Sequence, residues 1–218
     1  MSHDANTGAA GKSGLNLGRI LHSPLALPLI GLIVVSCLMG LASDNFFTLS
    51  NIMNVLRQVS VVGILAVGMT FVILTGGIDL SVGAVMALVG TLATGMMVNM
   101  GLPAPLALLA GLVIGMAIGL ANGALVAWGK MPAIIVTLAT MGMARGLGLI
   151  YSGGYPISGI PSWISWFGVG RIGFVPVPVI IMIVIYAIAW VLLQRTHFGR
   201  HVYALGGNET ASRLSGVK

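Results

Sequence analysis

Charge is what this sequence has least of. Its 218 residues include ten Lys or Arg and four Asp or Glu, 6% in all, where a water-soluble domain carries roughly a quarter. Hydrophobic residues make up 57% and the mean hydropathy is +1.06, so a water-soluble fold is excluded. A single cysteine, Cys37, rules out an intrachain disulfide, and inside an apolar run it reads as a small packed residue. Catalytic motifs are missing as well. There is no Gly-x4-Gly-Lys-Ser/Thr phosphate loop, no Gly-x-Ser-x-Gly elbow, no His-Glu-x-x-His and no cysteine cluster. The chain is therefore expected not to be an enzyme, and to hold no cofactor and no metal. His197 and His201 have the spacing of a helical metal pair, but Arg195 and Arg200 beside them disfavour a cation. The formal charge of +6 is scattered at the ends of apolar runs, a pattern of membrane topology and not of a nucleic-acid patch.

What is present is length without charge. A helix needs roughly 20 mainly apolar residues to cross the hydrocarbon, and the gaps between charges place six spans at about 25–43, 59–75, 81–99, 105–127, 132–151 and 176–194. The fifty residues from Leu80 to Gly129 hold two of these, divided by the turn signal Asn99 to Pro105. Residues 1–18 read as a disordered tail, 19–194 as a transmembrane domain, and 195–218 as a polar segment ending the chain. With the N-terminus inside, Lys12, Arg19, Lys130, Arg195, Arg200, Arg213 and Lys218 are cytoplasmic, whereas only Arg57 and Arg171 face outward. That bias puts both termini in the cytoplasm. A cleavable signal peptide competes for the first span, but its apolar run exceeds the roughly 7–15 residues of a signal core.

Individual residues then stand out. Ser50 or Asn51 is a candidate cap for the helix carrying Arg57. The outer segment 152–175, with Trp163, Trp166 and Phe167, reads either as an interfacial anchor or as a docking surface. Ala107, Gly111, Gly115, Gly119, Gly123 and Ala127 share one helical face at four-residue spacing, which predicts tight helix packing. Asn122 beside them is expected to bond across helices. Gly76 and Gly77 break the second span ahead of Asp79, Ser81 and Gly83. Asp79 or Ser81 caps the next helix, or Asp79 moves protons. Arg145 inside the fifth span has three readings: it snorkels, meets Asp79, or lines a polar path. Gly199–Lys218, with Glu209 as the only acidic residue after Asp79, is a mixed-charge end suited to touching something in the cytoplasm.

Two of these segments in fixed order carry a resemblance. Leu74–Gly83 (LTGGIDLSVG) closely resembles a segment characteristic of the permeases of bacterial ABC monosaccharide importers. Gly199-Arg200 followed by Tyr203–Val217 is similar to their cytoplasmic coupling loop. Asn45–Thr48, Lys130–Leu138 and Trp166–Arg171 are similar too, from about Leu25 to Lys218. Within the family the chain looks most like the permeases of ribose importers. The resemblance implies an all-α, polytopic helix bundle of the type II importer kind in the inner membrane. Two permease copies would form a homodimer, an ATP-binding subunit would dock on each loop, and a periplasmic protein would deliver the sugar. Gly207, Asn208, Glu209, Ala211, Arg213, Leu214 and Gly216 would form the coupling element, with Asn208 as cap and Glu209 in the first turn. Gly76, Gly77, Asp79, Ser81, Gly83 and Arg145 would belong to the family motif and pathway. Family members continue past this loop into further helices, so the chain is expected to be a fragment or to have its other half on a second polypeptide. A proton-coupled carrier using Asp79 and Arg145 is the alternative.

Overall fold

A computed structural model describes residues 26–217. The expectations for the 1–18 tail, for Lys12 and Arg19, and for Lys218 lie outside the described residues. The chain divides into two compact units at Ile52/Met53.

The first unit contains α1 (Ala26–Ala42) and the opening turn of α2 (Leu49–Leu74). The Phe47 ring lies against Gly40, so closely that a Cβ there would collide with it, and Phe46 meets Phe47 edge to face at 5.0 Å. Thr48 caps α2, its hydroxyl accepting from the Asn51 backbone N–H at 3.3 Å. The cap is thus Thr48 and not Ser50 or Asn51. Asn51 instead turns its amide back to donate to the Phe46 carbonyl at 2.8 Å. No breaker separates residues 49–58 from the apolar run that follows, so α2 starts ten residues ahead of the expected span and carries Arg57 within it.

The second unit continues α2 and adds α3 (Val82–Val98), α4 (Ala104–Ala127) and α5 (Ala133–Ser152). The short α6 (Ser162–Val169), a hairpin of β1 (Arg171–Ile172) and β2 (Val175–Pro176), α7 (Val177–Arg195), α8 (His197–Gly207) and α9 (Glu209–Leu214) follow. Pro103, Pro132, Pro161 and Pro176 stand immediately before α4, α5, α6 and α7 with φ of −53°, −58°, −51° and −63°. A proline has no N–H to offer the ladder and a φ already near the helical value, so it costs little at a start and blocks extension of the helix backwards. The hairpin, which the sequence did not announce, turns on Gly173 at φ +61° with Ile172 opposite Val175.

Four helices, α2, α4, α5 and α7, are long and apolar enough to cross a membrane. Helices α1 and α3 are shorter, with 17 residues each, about 25 Å of rise. Helices satisfy their own backbone groups, which is what hydrocarbon demands. The packed heart is α3 between α4 and α5. Ala84, Leu88 and Ala144 are buried together, with Ile118 and Met141 closing over them. Small residues allow the approach: the Tyr151 ring covers Gly95, and Gly148 lies over the Leu88 backbone. The glycine stripe of α4 divides in two. Gly111 and Gly115 rest on Val89, and Gly111 also on Ala93, whereas nothing lies within 4 Å of a Cβ built at Gly119 or Gly123.

Candidate functional site

The end of α2 is built for a sharp stop. Gly76 sits at φ +82°, its N–H bonds the Ile73 carbonyl at 2.9 Å, and the Gly77 N–H bonds the Val72 carbonyl at 3.0 Å. These two bonds are the Schellman pattern, which needs a left-handed residue and therefore favours glycine. The chain then runs into Asp79, whose Oδ1 accepts from the backbone N–H of Ser81 at 2.7 Å and from its hydroxyl at 2.6 Å. Ser81 occupies the cap position of α3 without bonding the helix N–H groups. Its oxygen is committed elsewhere: it accepts from Asn122 Nδ2 at 3.2 Å. Asn122 Oδ1 in turn accepts from the Thr140 hydroxyl at 2.6 Å.

A polar chain thus runs Asp79–Ser81–Asn122–Thr140 and ties the α2–α3 turn to α4 and α5. Ser81, Asn122 and Thr140 are all buried, and no buried side-chain N or O among the described residues lacks a partner. Gly83, two residues after Ser81, faces open space. Arg145 is exposed and, among the described residues, makes no ion pair with Asp79; the only such pair is Arg213–Glu209.

The second half of the site is the pair α8–α9. Thr196 closes α7 and opens α8, its hydroxyl accepting from the Gly199 N–H at 3.3 Å. Gly199 is pressed against the Leu192 and Leu193 carbonyls, leaving no space for a Cβ. Two contacts dock α8 on the end of α2: Phe198 stacks near Phe71 at 6.0 Å, and Gly206 abuts the Leu74 carbonyl, where a Cβ would collide. Asn208 caps α9 by accepting from the Ala211 N–H at 2.9 Å. Arg213 donates to Glu209 at 2.7 Å across one turn. Gly216, at φ +87°, ends the helix with a second Schellman pattern, the Gly216 N–H on Arg213 and the Val217 N–H on Ser212. Gly207, Ala211 and Leu214 are exposed, whereas Gly199 and Val202 of α8 and Ser212 of α9 are buried. His197 receives Arg200 Nη2 at Nδ1, 2.6 Å away. No three His, Cys, Asp or Glu are placed to hold a metal ion among the described residues.

An apolar helix bundle with four helices long enough to cross a membrane has the architecture of a polytopic membrane protein. Residues 51–218 match the family described as the permease component of the branched-chain amino acid transport system, and the chain belongs to that family. It is an integral protein of the bacterial inner membrane. The ribose import permease protein RbsC of Escherichia coli (strain K12) is 46% identical over 193 residues, covering 87% of this chain and 60% of that protein. The RbsC protein of Bacillus subtilis (strain 168) is 47% identical, covering 88% of this chain and 60% of its own length. The autoinducer 2 import system permease protein LsrC of Photorhabdus luminescens is 38% identical over 196 residues, covering 86% and 57%. The chain therefore spans about 60% of the length of these ribose permeases. No solved structure matches it.

Proposed function

We propose that the chain forms membrane-spanning helices of an ATP-driven importer of a ribose-like monosaccharide, working by alternating access. The observation that carries this reading is α8–α9: a double-capped, charged helix pair held by Gly206 and Phe198 on the end of α2. A separate ATP-binding subunit would grip α9 through Glu209, Ala211, Arg213 and Leu214. Its closure would act on α2 and, through Asp79, Ser81 and Asn122, on the α3–α5 core. Nucleotide turnover shifts such an equilibrium only if the ATPase binds one permease conformation better than the other. In this proposal six helices cross the membrane, with α1 and α3 as short spans. Both ends are cytoplasmic, because Lys130, Arg195, Arg200 and Arg213 then lie inside. A second permease copy and a periplasmic sugar-binding protein complete the assembly. Segment 152–175, with Trp163 and Trp166 exposed, lies at the outer face.

The test is the energy source. Cells expressing the chain with its ATP-binding and sugar-binding subunits should accumulate labelled pentose at a rate that collapses at least tenfold when ATP is depleted. Dissipating the proton gradient alone should leave the rate unchanged. Uptake that follows the proton gradient and is lost only in Asp79→Asn would establish the proton-coupled carrier instead.

A further inference from the structure

Helix α3 has two working faces. One carries Ala84, Leu88, Ala93 and Gly95 into the contacts with α4 and α5. The other, from Met86 to Thr94, forms one wall of a groove of about 350 Å³ whose second wall is the end of α5 and the segment just after it. Gly90, Thr91 and Thr94 line it from α3, and Ser152 and Tyr155 from the opposite side. Among the described residues that line it, every polar side chain carries a hydroxyl and none is charged.

The hydrogen-bond state of those hydroxyls is specific. Thr91 and Thr94 each spend their one proton on a carbonyl of their own helix, Ala87 and Gly90, at 2.8 Å. Each oxygen keeps a lone pair for an incoming donor. Tyr155 is well exposed, and its phenol can both donate and accept. Nothing lies within 4 Å of a Cβ built at Gly90, so a ligand can reach the helix backbone beside Thr91, one turn before Thr94. Met86, Ala87, Pro156 and Ile157 add C–H surface to the lining. Ligand pockets span roughly 300–1,000 Å³, combining apolar walls with a few placed polar groups, and this groove falls at the small end. Acceptors without charge suit a neutral molecule that carries many O–H donors and has an apolar ring face. They suit neither a phosphate headgroup nor an ion.

We propose that this groove is a monosaccharide contact site on the transport path, with Thr91 and Thr94 accepting from sugar hydroxyls and Tyr155 covering the ring. The proposal rests on the sugar-import reading and names where in the chain the sugar is touched. The expected affinity is low, since a site that released its cargo slowly would stall transport.

Thiol labelling tests it. In a Cys37→Ser background, which removes the only native cysteine, Thr94→Cys and separately Thr91→Cys are introduced. Membrane vesicles of both orientations are treated with a membrane-impermeant methanethiosulfonate. The groove cysteines should label from at least one side. Millimolar D-ribose should slow labelling several-fold, and the same concentration of leucine should not. Absence of labelling from both sides, with folded protein recovered, would mean that a helix or lipid covers the groove and would overturn the proposal. Labelling indifferent to ribose would overturn it too. As a second arm, the isosteric pair Thr91→Val with Thr94→Val keeps the β-branched shape and should cut pentose uptake at least tenfold while the ATP-binding subunit still co-purifies. Loss of that subunit from the unaltered protein would count against the importer reading, not against the groove, which labelling reads independently.

Discussion

Asn122 is the residue on which the interior turns. One amide in an otherwise apolar helix must find partners, and it finds two, donating to Ser81 and accepting from Thr140. Interhelical hydrogen bonds in membranes are worth about 0.6 kcal/mol on average and roughly 1.7 at most. Here two are lost at once, and Thr140 is left buried without the amide. Asn122→Leu should therefore lower the thermal midpoint of the detergent-solubilised protein by several degrees, read by a thermal-shift assay, whereas Thr94→Val should not. That Asn122 bonds across helices was legible from its isolation among apolar neighbours. Its partners were not, because Ser81 and Thr140 lie 41 and 18 positions away and spacing along one chain says nothing of such pairs. The same limit hid Thr48: an Asn and a Ser next to it are equally good caps by type, and only the point where the helix starts chooses among them. Asp79 and Arg145 were both conspicuous as charges in an apolar chain. Geometry separates them, since Asp79 is engaged by Ser81 and Arg145 is turned outward.

At the scale of elements, two glycines with positive φ end helices in the same way. Gly76 and Gly216 close α2 and α9 with the same bond pattern, and both fall inside the two segments by which the family resemblance was recognised. The glycine pair Gly206-Gly207 draws a sharper contrast. Gly206 abuts the Leu74 carbonyl, whereas a Cβ at Gly207 meets nothing within 4 Å. Gly206→Val should lift α8 from α2 and raise tryptic cleavage at the exposed Arg200 and Arg213 at least several-fold, and Gly207→Ala should leave the digestion rate unchanged. Equal rates for the two variants would mean that the α2 contact does not hold α8. Four-residue periodicity could not reveal this asymmetry, nor could it tell that Gly111 and Gly115 pack on α3 while Gly119 and Gly123 do not. A stripe records that a helix is approached, not how far along its length. The β1–β2 hairpin was hidden for another reason: two residues per strand are too few for an alternating pattern.

For the molecule as a whole, hydropathy made the helical membrane class plain, because lipid tolerates so few charges that their gaps outline the helices. Orientation rests on the placement of Lys and Arg and belongs to the importer reading. So does the claim from which the rest follows, that α9 is where an ATP-binding subunit takes hold. The Glu209–Arg213 pair is suited to a decisive test because its side chains are 61% and 57% exposed. Solvent screens such a pair, and its contribution to the fold is at most about 0.3–0.5 kcal/mol. Reversing Glu209 therefore changes the docking surface while leaving the fold nearly untouched. The measurement is affinity purification of the ATP-binding subunit with the chain, unaltered and as Glu209→Arg, with the thermal midpoint of each recorded. The unaltered chain should retain the subunit and Glu209→Arg should lose at least nine-tenths of it at an unchanged midpoint; full retention by Glu209→Arg would contradict the account.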